Sequence, residues 1–160
     1  QYIAVAANKG VFMRHLAIAI AFSVILAGCQ TGPQQTNAPL PDEIDITQPP
    51  SDVPKEHAEF VGKWQGRWGG TLDSYLVVKS VSDNNADVIY SWGSSEYVPQ
   101  AGWEPVNAYF RDRTLIVPLN NNPTIEAKYT MTEQGKLDAT YRDEGDNVTS
   151  EATFVKVGSN

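Results

Sequence analysis

The chain has almost no thiol or imidazole to work with. Its 160 residues include one cysteine, Cys29, and two histidines, His15 and His57. A single thiol excludes an internal disulfide. After residue 57 there is neither histidine nor cysteine, which disfavours a Ser-His-Asp triad, a Cys-His dyad or a His- or Cys-ligated zinc or haem site there. His57 stands alone at a segment boundary and reads as a solvated residue. A sustained 3.6-residue apolar stripe is also missing, so the chain has no sign of a helical domain. Basic residues are too few and scattered for nucleic acid: 12 Lys+Arg face 19 Asp+Glu, a net charge of −7, and only Arg111 and Arg113 lie close together.

What the chain does have begins near its start. Met13-Arg14-His15 opens an apolar run, residues 16–26, that ends in Leu26-Ala27-Gly28-Cys29. The run is too short to cross a bilayer core of ~30 Å, which needs about 20 residues. A basic start, an apolar stretch and a small-residue end have the layout of a secretory signal peptide. Leu-Ala-Gly-Cys resembles the lipobox of bacterial lipoproteins. That resemblance implies cleavage between Gly28 and Cys29, a diacylglyceryl group on the Cys29 thiol and acylation of the new amine. Each buried acyl CH₂ contributes ~0.8 kcal/mol, so several chains anchor permanently. Gln30, where enterobacterial retention signals carry Asp, points to the outer membrane of a bacterial envelope. Residues 1–12 precede the first sensible start and read as a translation artefact; residues 13–28 read as the signal. Loss of Lys9 and Arg14 leaves ten basic residues against nineteen acidic, a net charge of −9.

From residue 29 to 55 the chain is rich in proline (Pro33, Pro39, Pro41, Pro49, Pro50, Pro54) and poor in large apolar side chains. Such a stretch buries too little surface to offset its ordering entropy, and it is expected to be a disordered tether behind the lipidated Cys29.

Residues 56–160 form the expected folded domain, and its pattern is two-residue alternation. Trp64, Gly66 and Trp68 share one face of an opening strand. Leu76 and Val78 alternate with Tyr75 and Val77 between Ser74 and Val81, and Ser82-Asp83-Asn84-Asn85 turns the chain into Ala86, Val88, Tyr90 and Trp92. An irregular stretch follows from Gly93 to Gly102. Trp103–Phe110 and Thr114–Val117 flank the Arg111-Asp112-Arg113 turn. Ile125, Ala127, Tyr129 and Met131 alternate up to Glu133-Gln134-Gly135, and Leu137, Ala139 and Tyr141 return. Asp143–Asn147 is another turn before the last strand, Val148–Val157. About eight short strands, each with one apolar face, argue for an all-β fold, a small antiparallel β-barrel that hides its edges. Gly62-Lys63-Trp64 on the first strand and Phe154-Val155-Lys156-Val157 on the last resemble the calycin barrels, the lipocalins and avidins. That resemblance implies a first-strand Trp64 plugging the barrel base. The second lipocalin motif has no counterpart, so it carries an architecture and no ligand.

Aromatic residues concentrate in the first half of this domain. Trp64 and Tyr90 read as core. Trp92, Tyr97 and Trp103 border the Gly93–Gly102 stretch, where rings on a loop at a barrel mouth can stack on a ligand. They are the expected ligand-binding residues, for a small molecule, a glycan or an envelope protein. No catalytic residue, cofactor or metal site is expected, and the chain is expected to be monomeric. Glu96, Glu104, Asp112 and Glu126 leave room for a hydrolase using carboxylates alone, but read as solvated charges. Asp143, Glu144, Asp146 and Asn147 could supply oxygen to calcium, but read as turn residues.

Overall fold

A computed structural model describes residues 37–158. The expected lipobox with Cys29 and the first part of the expected tether lie outside the described residues. The described chain is a closed antiparallel barrel of eight strands in sequence order: β1 (Gly62–Trp68), β2 (Leu72–Ser82), β3 (Asn85–Trp92), β4 (Gly102–Arg111), β5 (Thr114–Leu119), β6 (Asn122–Met131), β7 (Leu137–Asp143) and β8 (Val148–Val157). Every strand expected from alternation is present, with ends displaced by a few residues at most.

Each strand is a neighbour of the next, and β8 closes on β1 through Lys63↔Val157 to Gln65↔Val155. Consecutive turns therefore fall alternately at two ends. Residues 69–71, 93–101, 120–121 and 144–147 lie at one end, the mouth. Residues 83–84, 112–113 and 132–136 lie at the other, the closed end. The interior is filled with side chains: Trp64, Leu76, Val78, Leu115, Val117, Tyr129, Leu137 and Phe154 are among those fully buried.

The first strand needs its glycines. Gly62 has φ +132°, a region that disfavours any Cβ, and a Cβ on Gly66 would sit 2.5 Å from the Phe154 ring. Trp64 is the core residue expected of it. It is 1 % exposed, and its indole N–H donates to the Phe60 carbonyl at 2.7 Å. The Lys156 ammonium lies 5.0 Å from its ring centroid, held between that ring and the Glu59 carbonyl at 3.3 Å. Burial lowers the Lys156 pKa, with Glu59 opposing.

Two expectations are corrected. A short helix, α1 (Lys55–Ala58), covers the closed end, and His57 within it is 6 % exposed, not solvated. Its ring stacks on Phe110 at 3.9 Å and its nitrogens reach the carbonyls of Asp83 and Asp112. The reason is apolar: the barrel base needs a lid, and a flat ring with polar edges suits a site ringed by turn carbonyls.

The described part of the tether is likewise not free. Residues 37–54 form a strap against the outer wall. Asn37 N–H donates to Asp73 and its amide to the Ser94 carbonyl. The Ser91 hydroxyl donates to the Pro39 carbonyl, and Thr47 N–H donates to Lys79 O at 2.8 Å. A register shift between Val78 and Ser80 takes Lys79 out of the β2–β3 ladder, which frees that carbonyl. A Cβ on Gly93 would fall on the Asn37 carboxamide. The physical reason lies in the sheet. Val77 and Ile89 point outward beside Ser91 yet are 0 % and 5 % exposed. Strands apolar on both faces need cover on both, and this segment, with Ala38 buried and Leu40 and Ile44 half-buried, lies over that wall.

Candidate functional site: an aromatic cluster at the barrel mouth

The mouth-ward half of the barrel is lined by rings. Trp68 ends β1, Tyr90 and Trp92 end β3, Tyr141 lies near the end of β7, and Tyr129, eighth of the ten residues of β6, joins them from nearer the closed end. Two-residue periodicity directs each of them inward. Trp68 lies 6.1 Å from both Tyr129 and Tyr141, with tilted planes, and 5.4 Å from Phe154 in an edge contact. Tyr90 stacks on Trp92 at 5.9 Å.

Two buried polar atoms in this cluster fall outside hydrogen-bond geometry, Trp68 Nε1 and Tyr129 Oη. Both are buried in residues 4 % and 0 % exposed. The Trp68 N–H nevertheless lies near enough the Tyr90 hydroxyl to favour its ionised form, so Tyr129 Oη is the atom left unmatched. Leaving such a group unmatched costs about 1–3 kcal/mol, and Tyr129 Oη bears that cost in full. Burial pushes the Tyr129 phenol well above its ordinary range, with Tyr90 adding to the effect. Tyr90 rises for the same first reason. Tyr141 and Glu104 add to that, while the Trp68 N–H and Ser74 hydroxyl pull the other way. Both phenols are therefore neutral hydrogen-bond groups over the physiological range.

The wall beside the cluster has a seam. β4 pairs with β5 only from Tyr109↔Ile116 to Arg111↔Thr114, so the mouth-ward length of β4 has no ladder to β5. The β1–β8 ladder is equally short, but Gly69 N–H to Glu151 O recloses it near the mouth. At the β4–β5 seam a side chain crosses instead, with Glu104 Oε1 accepting from Asn120 N–H at 3.2 Å. Glu104 is paired in register with Tyr90 and shares its inward face. It is half-buried, not the freely solvated charge expected.

The three expected binding residues are not brought together. Trp92 faces inward and belongs to the cluster, its indole N–H donating to the Gln100 carbonyl at 3.0 Å. Trp103 stands opposite Ser91 in the ladder and faces outward, 43 % exposed. Tyr97 is 87 % exposed on the loop. Sequence reasoning passed over Trp68, Tyr129 and Tyr141 as binding residues. Their signal was chemical: on inward positions where an aliphatic side chain would fill space, each carries a polar group that must be matched.

The carboxylates considered for hydrolysis are dispersed. Asp112 lies in a closed-end turn, Glu126 pairs with Lys128 at 2.7 Å, and Glu96 is on the exposed loop. Asp143 Oδ1 accepts from Gly145 and Asp146 N–H, which is turn chemistry. Among the described residues no group of three or more His, Cys, Asp or Glu side chains converges on a metal position. The chain matches no family model and no curated protein.

Proposed function

We propose that the protein is a lipid-anchored lipoprotein of the bacterial envelope whose barrel binds a small molecule at the mouth without transforming it. The observation that carries the binding reading is the unmatched buried Tyr129 Oη, with the poorly aligned Trp68 Nε1 beside it, beneath an aromatic wall. Donors at the floor suit a ligand with a carbonyl or hydroxyl oxygen. Rings at the side suit one with an apolar face, as a pyranose has. The acidic surroundings, Glu104 inward with Asp143 and Asp146 acting on Tyr141, disfavour an anion. A neutral glycan fragment meets all three conditions. The anchor reading rests on Leu26-Ala27-Gly28-Cys29, and the outer membrane is its proposed location.

All four tryptophans lie in the barrel, so their fluorescence reports occupancy directly. Titration with N-acetylglucosamine oligomers, neutral monosaccharides and fatty acids should give a saturable change with a neutral sugar. Trp68→Phe and Tyr129→Phe should each weaken it while the far-ultraviolet spectrum is unchanged. Binding unaffected by either variant would remove the cluster as the site. Release of product from the bound oligomer would replace the binding reading with a hydrolytic one.

A further inference from the structure

The strap fixes where the N-terminal chain leaves the barrel. Asn37 is held at the mouth end by Asp73, at the start of β2, and by Ser94, in the loop after β3. From there the strap runs down the outer wall, past Lys79, to the helix at the closed end. The same Asp73 also receives Arg67 Nε at 2.6 Å, so the exit point is tied to β1 as well. Only eight peptide units separate Cys29 from Asn37, and these can reach no further than about 29 Å. A free tether starting at residue 56 would have reached about three times as far.

We infer that the mouth end of the barrel, with Tyr97 at its most exposed point, faces the surface of the membrane that holds Cys29. The inference rests on the lipid-anchor reading. The barrel stands roughly 20 Å tall, from strands of about eight residues tilted as in other small barrels. With the closed end toward the bilayer, Asn37 would be carried that far above the surface, and the link would have to run at about two-thirds of its full reach, beyond the roughly 16 Å mean span of a flexible chain of its length. Such an orientation costs the link part of its conformational freedom, whereas the mouth-down orientation costs it none. Glu96, Glu144 and Asp146 in the mouth-end turns oppose adhesion to anionic lipid. The mouth thus faces the bilayer across a gap, open to molecules presented from its surface.

The test uses the full, acylated chain in vesicles of phosphatidylethanolamine and phosphatidylglycerol carrying a head-group energy acceptor. Because acylation blocks Cys29, Tyr97→Cys or Gln134→Cys offers one thiol for a donor dye, at the mouth loop or the closed-end loop. Transfer from position 97 should exceed that from position 134 severalfold. A Gly-Ser insertion after Gln30, several times longer than the native link, should abolish the difference. Equal transfer from the two positions, or more from 134, in a chain shown by palmitate labelling to be acylated would overturn the orientation and leave the anchor standing. Absence of label in the wild type, matching Cys29→Ser, would overturn the anchor reading and this inference with it.

Discussion

His57 and Phe110 lie face to face, ring centroids 3.9 Å apart and planes 9° from parallel. The imidazole is also a clamp: Nδ1 is 3.2 Å from the Asp83 carbonyl and Nε2 2.9 Å from the Asp112 carbonyl. One side chain from the helix thereby ties the β2–β3 turn to the β4–β5 turn and roofs the closed end. Both partners are acceptors, so a singly protonated ring can serve one of them and a doubly protonated ring both.

His57→Ala should therefore cost about 2–4 kcal/mol, the sum of a lost stacked ring and buried hydrogen bonds. His57→Phe, which keeps the stack and abandons the carbonyls, should recover only part of it. Urea unfolding monitored by tryptophan fluorescence decides the matter; a loss under about 0.5 kcal/mol would mark the ring as a surface residue after all.

Tyr129→Phe offers the opposite sign. Removing a buried hydroxyl that has no partner should stabilise the empty barrel by roughly 1 kcal/mol, while Tyr129→Ala should cost about 3–5 kcal/mol through the cavity it leaves. A clear loss in the Phe variant would mean the hydroxyl is satisfied by something bound in the barrel.

The same phenol sets an alkaline limit. Tyr90 and Tyr129 have folded pKa values above the ordinary 10, chiefly through burial. In the unfolded chain both ionise near pH 10, so the stability they contribute is full below that pH. It is lost as pH rises from there toward the folded values. Unfolding free energies at successive pH values from 8 upward should fall above about pH 10, in step with tyrosinate absorbance appearing on unfolding, and Tyr129→Phe should reduce the slope. A flat profile would contradict the burial of both groups.

Gly66→Ala should destabilise by about 1–3 kcal/mol, because the added carbon meets the Phe154 ring and must displace it. Phe154→Leu in the same chain should give back part of that loss as a coupling energy. Additive losses would place the clash elsewhere.

Tyr97→Ala and Trp103→Ala, on the loop and the outer wall, should change stability by less than about 1 kcal/mol each. Trp64→Ala should cost about 3–5 kcal/mol. The contrast is measured in one series of melts, and a destabilised Trp103→Ala would show that the outer wall is packed more closely than its exposure indicates.

The strands and turns were legible because they are encoded locally. Alternation assigns Trp64, Leu76, Val88 and Ala127 to an interior with no knowledge of their neighbours. The turns announced themselves through polar residues, such as Asp83 and Asp112, that tolerate positive φ. The strap was hidden for a complementary reason: Ala38, Leu40 and Ile44 are isolated among prolines, and their cover for Val77 and Ile89 exists only once β2 and β3 are paired. The hint was in the strands, where Leu76-Val77-Val78 and Val88-Ile89-Tyr90 are apolar on both faces. Trp92 and Trp103 look like companions in the sequence, but hairpin register puts them on opposite sides of one wall. Trp68, Tyr90, Tyr129 and Tyr141 lie far apart along the chain and meet only because the sheet closes. Periodicity is a property of neighbours in sequence and determined the barrel's parts. Convergence is a property of closure, so the tertiary structure alone decided which rings share an interior and which atoms there lack a partner.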